Sequence, residues 1–423
     1  MKGELAARHE IDPAALPYNR AVLDWLRAEH AAGREIWLVS ASHQKFVDAI
    51  AGHLGLFRGS IGSDSATNLK GERKRAALVE RFGARGFDYA GDSAADLAVW
   101  RDAHAAIVVG GTGAFAARVG EVARVDRTLP ARRGGASAWR RAFRLQQWVK
   151  NGLVVVPLLT AHAWYQPGAV AAALLGFLAF CFTASAIYVF NDLGDLADDR
   201  AHPVKRKRPL ASGALSVPAT LIGAFVLLAL AVTFALLLPP AFGGWLAVYA
   251  LTTTAYSAWL KRRPIVDVLC LAGLYTARLL AGAAAIAVEA SFWLLAFSMF
   301  LFLSLALVKR FSELRRQAML GRLRTSRNYE TGDLPVILSG GLASGMIAVL
   351  VLALYIQSAN VVQFYSHPYR IWIACPVLLY WILRTWFHAN RGRVQEDPVA
   401  WAAKDPVSWV AVALVFGAFA AAL

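Results

Sequence analysis

The stretch Asn191-Asp192-Leu193-Gly194-Asp195-Leu196-Ala197-Asp198-Asp199 closes a long apolar run. It puts an asparagine and four aspartates where a segment of membrane-spanning length ends. Ionised side chains so close to a bilayer core are costly without a partner. Asn191, Asp195 and Asp199 are spaced by four, and Asp192 precedes Asp195 by three, so a continuous helix would carry them on one face. Converging carboxylates are hard oxygen donors and suit Mg²⁺ carrying a diphosphate. A basic run follows directly, with Arg200, His202, Lys205, Arg206, Lys207 and Arg208. Lys and Arg after a span are an ordinary topology signal, but topology does not require the acids. Acids for a metal beside bases for phosphate predict a site for a diphosphate leaving group. Asp192, Asp195 and Asp199 are the expected metal ligands, Asn191 supports them, and Lys205 and Arg208 are expected on phosphate oxygens.

Composition agrees with a membrane protein. Of 423 residues, 57% are hydrophobic and only 17% charged, and mean hydropathy is +0.46, far from an average soluble chain. The formal net charge of +16 gathers between apolar segments and carries no nucleic-acid recognition motif, so no nucleic-acid partner is expected. Cys181, Cys270 and Cys375 lie in apolar runs without metal spacing and read as inert core thiols. The start of the chain is polar and lacks the apolar stretch of a signal peptide.

The composition shifts near residue 140. Residues 1–125 read as a small soluble α/β domain, 126–147 as a basic linker with an interfacial segment, and 148–423 as a bundle of membrane helices. Nine apolar segments are long enough to be expected as spans: 148–164, 168–190, 217–238, 242–260, 265–286, 290–308, 334–357, 371–387 and 406–423. Loops 191–216, 261–264, 309–333 and 385–405 are rich in Lys and Arg, while the alternate loops carry almost none. This asymmetry predicts a cytoplasmic site and a cytoplasmic soluble domain on an inner membrane, with the C-terminus on the other side.

Three more polar clusters fall on that same side. Tyr256, Ser257, Lys261 and Asp267 flank the link between the fourth and fifth segments. Lys261 is a further candidate for phosphate, and Asp267 either serves the site or simply opens a helix favoured by its dipole. Arg278 lies more than ten residues into the fifth segment, too deep to snorkel out, so it should face an internal polar cavity and could hold a second phosphate. Lys309, Arg310 and Glu313 end the sixth segment, where Lys309 and Glu313 could also pair four residues apart.

The pattern Asn-Asp-x-x-Asp-x-x-x-Asp at a helix end, in a bundle covering about 140–423, resembles the UbiA superfamily of intramembrane prenyltransferases. The resemblance implies two acidic motifs facing each other across a cavity, holding Mg²⁺ and a diphosphate beside a polyprenyl chain. The first motif matches Asn191, Asp192, Asp195 and Asp199. The second usually has two aspartates four apart, and here Asp267 is followed by Leu271. The segment from Asp199 to Gly213, Tyr256-Ser257 with Lys261 and Asp267, Arg278 with Gly282, and Lys309-Arg310 with Glu313 look like the branch that transfers phosphoribose to polyprenyl phosphate. That resemblance implies phosphoribosyl diphosphate as donor and Lys309 and Arg310 as substrate-binding, with Tyr256, Lys261 and Asp267 joining the three aspartates as catalytic. The alternative on the same fold is prenyl transfer from polyprenyl diphosphate to an aromatic acceptor such as 4-hydroxybenzoate. A lipid transporter or binding protein is the reading from another class, but charge confined to one face argues against transport.

In the N-terminal region, a strand ending at Ser40, Lys74 (or Lys70) at a helix start, and Gly91-Asp92 with Asp96 are similar to haloacid dehalogenase-like phosphatases, a Rossmann-like fold. The resemblance implies phosphate binding by Ser40 and Lys74 and Mg²⁺ on Asp92 and Asp96. The nucleophilic Asp-x-Asp of that family has no counterpart; Asp12 is followed by Pro13. Either a longer chain carries it upstream or the domain is a degenerate scaffold. The chain as written is expected to lack phosphatase activity.

Overall fold

The computed structural model describes residues 10–65, 67–110, 113–130, 134–321, 323, 327–358, 361, 364–394 and 397–423. The start of the chain and the arginines at 132 and 133 in the expected linker lie outside them. The chain divides into two compact units. One holds residues through Arg141 together with Asp192–Val217; the other holds Ala142–Asn191 and Pro218–Leu423.

In the first unit, α1 (Arg20–Ala31) is capped by the Asn19 side chain, and β1 (Trp37–His43), α2 (Gln44–Leu54) and β2 (Gly59–Ser63) follow. Gly55 stops α2 in the left-handed conformation, which glycine adopts without steric cost. Next come α3 (Glu72–Phe82), β3 (Tyr89–Gly91), α4 (Leu97–Trp100), β4 (Ala106–Val109), α5 (Gly113–Gly120), β5 (Val125–Leu129) and α6 (Ala136–Ala142). β1 pairs parallel with β2, and β3, β4 and β5 form a second parallel set in that order. The expected parallel α/β pattern is present, as two small sheets. Parallel strands need a crossover, and the short apolar runs Trp37-Leu38-Val39 and Ala106-Ile107-Val108-Val109 alternate with helices that supply it. The core gathers Leu78, Tyr89, Val99, Trp100, Ala106, Val108 and Val119.

The second unit is helical. A 3₁₀ stretch, Leu145–Val155, runs into the short α7 (Val156–Thr160). α8 (Pro167–Gly194) follows, and the boundary between units falls inside it. After α9 (Leu196–Ala201), in the first unit, come α10 (Val217–Leu236), α11 (Pro240–Ala258), α12 (Val266–Ala285), α13 (Phe292–Met319), α14 (Leu334–Ile356), α15 (Ala374–Asn390), α16 (Pro398–Ala402) and α17 (Pro406–Ala422).

Among the described residues, six helices are long and apolar enough to cross a membrane, not the nine segments expected. The three that fall short have physical reasons. Segment 148–164 is broken into 3₁₀ and a five-residue helix. α11 is diluted by Gly243, Gly244 and Thr252–Thr254, and α17 has only 17 residues. α10 is the most apolar, with mean hydropathy 2.5 and 17% of its window buried, as a lipid-facing helix should be. α12 is 61% buried at hydropathy 1.6 and packs against α11, α13 and the 3₁₀ stretch. Its polar residues are tolerated because protein, not lipid, surrounds it.

Small residues let these helices approach, since lipid supplies no hydrophobic drive between them. A Cβ on Gly282 would overlap the Val154 carbonyl, and one on Gly341 the Trp386 ring. Gly273, on the same helix as Gly282, has nothing within 4 Å of such a Cβ. Gly282→Val is therefore expected to cost about 1–3 kcal/mol through overpacking, and Gly273→Ala to be nearly silent. Thermal unfolding in detergent checks both, and equal melting temperatures for the two variants would refute the close contact.

Candidate active site

The acidic motif does not lie on one continuous helix. α8 stops at Gly194, Asp195 takes the N-cap position of α9 with φ −91° and ψ 10°, and the chain resumes at Leu196. This kink sorts the aspartates. Asp192 and Asp199 are 4% and 1% exposed, whereas Asp195 and Asp198 are exposed. Arg208 Nη1 donates to Asp192 Oδ1 at 3.1 Å and to Asp199 Oδ2 at 2.7 Å. Lys205 Nζ stands 3.8 Å from Asp199 Oδ1, a buried oxygen that has no hydrogen-bond partner among the described residues. The segment is held in its own unit by packing of α9 on the 3₁₀ turn Pro13–Ala15 and by a Gly134 N–H bonded to the Ala214 carbonyl at 2.7 Å.

Of the three expected metal ligands, the structure brings two together and leaves Asp195 outside. No group of three or more metal-ligating side chains occurs among the described residues. Two buried carboxylates and an orphaned acceptor oxygen still suit a hard cation. Arg208, seated between them, supplies the positive charge in this state.

The second unit holds its own cluster. Asp267, at the start of α12, is fully buried. It accepts a charge-assisted hydrogen bond from Arg310 Nε and one of 2.5 Å from the Tyr329 hydroxyl. Arg310 also pairs with Glu313 and donates to Tyr256 Oη at 3.0 Å, and Arg327 donates to the same phenol at 2.7 Å. The Tyr329 hydroxyl in turn accepts the Ile265 N–H at 2.9 Å, and burial followed by the Asp267 hydrogen bond pushes its ionisation up. Both oxygens of Asp267 thus have a partner inside the unit. Lys261 is half-buried and makes no ion pair among the described residues. Asn191, the residue before the first acid, donates to Ser257 Oγ at 3.1 Å.

Arg278 is buried as expected, but its partners are internal. Nε donates to Asn151 Oδ1 at 2.9 Å, Nη1 to the Leu274 carbonyl at 2.5 Å and Nη2 to Tyr249 Oη at 3.2 Å. Its guanidinium also lies over the Tyr249 and Tyr275 rings, at 4.7 and 5.6 Å from their centroids. Between α11 and α12 a cavity of about 330 Å³ is lined by Tyr249, Thr252, Gly273 and Ala277 among others.

Lys309 is not paired with Glu313; it reaches Asp397 Oδ2 at 3.3 Å, and Lys150 meets the same oxygen at 2.7 Å. Burial alone would raise the Asp397 carboxyl, but the two lysines overcome it and hold it at about 2. Sequence reasoning missed Lys150, Asn151, Asp397, Arg327 and Tyr329. Lys150 and Asn151 had the signal that flagged Arg278, since they interrupt an apolar segment.

In the first unit, Lys74 Nζ is 2.8 Å from Tyr89 Oη and 3.3 Å from Asp96 Oδ1. Asp96 Oδ2 accepts from Ser93 Oγ at 2.7 Å. Burial would raise the Asp96 carboxyl, but Ser93, Lys74 and Tyr89 lower it overall. Asp92 is exposed and meets Asp96 through its backbone N–H. Ser40 Oγ accepts from the Ser42 N–H on β1, and no hydrogen bond among the described residues joins it to Lys74.

Residues 154–404 match the model of the UbiA prenyltransferase family. The chain belongs to that family. An uncharacterized protein of Sinorhizobium fredii is 38% identical over all of this chain and 82% of its own length. Nodulation protein NoeC of Azorhizobium caulinodans is 37% identical over 64% of this chain and 88% of that protein. The decaprenyl-phosphate phosphoribosyltransferase of Corynebacterium glutamicum is 35% identical over 41% of this chain, which spans 54% of that enzyme. A UbiA homolog from Archaeoglobus fulgidus, solved with GPP and Mg²⁺, superimposes with a TM-score of 0.51 at 19% identity, over 67% of this chain and 99% of that one. That likeness establishes the fold. As a UbiA-family chain with six membrane-capable helices, the protein is an integral membrane transferase.

Within this UbiA fold, the Asp267–Arg310 pair carries the clearest energetic consequence. Removing one partner of a buried pair leaves a stranded charge and costs roughly 3–5 kcal/mol. Arg310→Leu is expected to lower the melting temperature sharply, and Arg310→Leu with Asp267→Leu to recover part of the loss. A double variant no more stable than the single one would show that the stranded carboxylate is not the cause.

Proposed function

We propose that this UbiA-family chain transfers phosphoribose from phosphoribosyl diphosphate to a polyprenyl phosphate at the cytoplasmic face of an inner membrane. One observation carries the reading. The carboxylate of the second motif, Asp267, is consumed by Arg310 and Tyr329, and Leu271 stands where a second acid would follow. A single carboxylate cluster, Asp192 and Asp199 with Arg208 and Lys205, then remains for one diphosphate. The likeness to the Corynebacterium glutamicum enzyme supports the same branch.

In this reaction the bond from ribose C1 to the diphosphate oxygen breaks, and a bond from C1 to an oxygen of the lipid phosphate forms. Diphosphate leaves with the electron pair, and the ribosyl centre passes through an oxocarbenium-like state. Asp192 and Asp199 would hold Mg²⁺, with Asp195 available at the kink. When bound, the metal screens the leaving group's developing charge. Arg208 and Lys205 turn from the carboxylates to the diphosphate oxygens, which acquire charge as C1–O stretches. Arg278, satisfied by Asn151, Leu274 and Tyr249, keeps the polar interior in register.

The GPP-bound Archaeoglobus fulgidus relative favours one second reading, prenyl transfer to an aromatic acceptor. A paired assay with Mg²⁺ separates the two. One arm holds labelled phosphoribosyl diphosphate and polyprenyl phosphate; the other holds polyprenyl diphosphate and 4-hydroxybenzoate. Lipid-soluble label in the first arm alone is expected, and product in the second alone overturns the proposal. Asp192→Asn and Asp199→Asn are each expected to lower turnover about 10²- to 10³-fold, the scale of losing one charge-stabilising group. Turnover within threefold of wild type in correctly inserted protein would remove the acids from the site.

A further inference from the structure

Among the described residues, the interior of the second unit holds more positive charge than it neutralises. Lys150 and Lys309 share a single oxygen of Asp397, at 2.7 and 3.3 Å. Their side chains are 14% and 25% exposed, and that of Asp397 is 12% exposed. Among the described residues, two ammonium groups against one carboxylate leave one positive charge over. The residue after Lys150, Asn151, holds Arg278, which has no carboxylate partner among the described residues. Charge of this kind inside a membrane bundle calls for an anion.

The surroundings define what kind. Asp397 Oδ1 is engaged by the Val399 N–H at 3.2 Å, so the carboxylate is held as the N-cap of α16, and Oδ2 alone serves both lysines. Beside it lies a cavity of about 10 Å³, lined by Leu271, Tyr275, Leu305, Ala306, Lys309 and Asp397. That is room for one water at most, so the seat is filled by the carboxylate. A phosphate monoester carries about −1.5 to −2 charges near neutral pH and three acceptor oxygens. It matches two lysines better than one carboxylate does, and Lys is a common point-charge partner of phosphate. Leu271, Leu305 and Ala306 form an apolar wall directly beside the charged atoms. Paired cations beside an apolar wall match the chemistry of an amphiphile with a phosphate head and a hydrocarbon tail.

We infer that Lys150 and Lys309 form the seat for a phosphate monoester, the headgroup of an isoprenyl phosphate, and that Asp397 is the resident anion it displaces. Reading that headgroup as the transfer acceptor rests on the proposed function. Lys309 touches the bound head, and Arg310, its neighbour in sequence, stays committed to Asp267.

The test is direct binding, with no donor present, so that it stands apart from turnover. The full chain in nanodiscs is titrated with farnesyl phosphate, farnesol and inorganic phosphate. Farnesyl phosphate is expected to bind and farnesol not to, with inorganic phosphate a weak competitor. Lys150→Gln and Lys309→Gln should each weaken farnesyl phosphate at least tenfold, and Asp397→Asn should tighten it severalfold. Lys150→Gln/Asp397→Asn removes one charge of each sign and keeps the balance should Asp397→Asn fail to fold. It should bind more weakly than wild type. Lysine variants within twofold of wild type would overturn the seat. Inorganic phosphate competing as well as farnesyl phosphate would overturn the lipid assignment. Loss of binding in Asp397→Asn, with the protein folded, would overturn the displacement. Intact binding with no phosphoribosyl transfer would refute the proposed function and leave the seat standing.

Discussion

The buried pair between Asp267 and Arg310 is the constraint on which the membrane unit depends. It joins the start of α12, the most buried of the six membrane-capable helices among the described residues, to the C-terminal half of α13. Neither charge can leave, because both are enclosed. Desolvating two ions costs several kcal/mol each, and Coulomb attraction repays it only with good geometry and every remaining donor and acceptor satisfied. Here Tyr329 completes the carboxylate, and Glu313 and Tyr256 complete the guanidinium. Tyr329 further accepts the N–H of Ile265, which sits at positive φ, so the same phenol fixes the backbone entering α12. The pair therefore sets the register of one helix against another, which a hydrophobic contact of equal area would do less specifically.

With Asp267 committed to structure, the two units differ in the charged groups left over among their described residues. A buried carboxylate oxygen with no hydrogen-bond partner among the described residues belongs to the first unit, at Asp199. Cations in excess belong to the second, at Lys150, Lys309 and Arg278. A cation that screens a diphosphate suits the first set, and an anionic headgroup suits the second.

The sequence was informative wherever local spacing decides the outcome. Asp192, Asp199, Lys205 and Arg208 could be grouped because they lie within a few turns of one another, and the depth of Arg278 in an apolar run foretold its burial. Strand and helix alternation likewise foretold the parallel pairing of the first unit. Asp195 was placed wrongly beside its neighbours because spacing assumes an unbroken helix, and the chain breaks at Gly194. Of the nine apolar runs, six are helices long and apolar enough to span among the described residues, and hydropathy alone cannot distinguish a helix from the 3₁₀ stretch Leu145–Val155. The Lys150–Asp397–Lys309 cluster joins three distant segments and leaves no local periodicity to read. Asp397 before Pro398 carried only the signature of a helix cap, which it also is.

Leu271 lies one turn along α12 from the buried carboxylate, where an acid would continue the same face. It lines the small cavity beside Lys309 and Asp397 instead. A carboxylate there would neutralise the surplus charge of the lysine pair and replace apolar wall with a group repelling any phosphate. The leucine keeps that charge unspent and the wall greasy. Leu271 in place of a second aspartate and the two lysines on one carboxylate thus belong to one local arrangement, an apolar wall set beside paired cations.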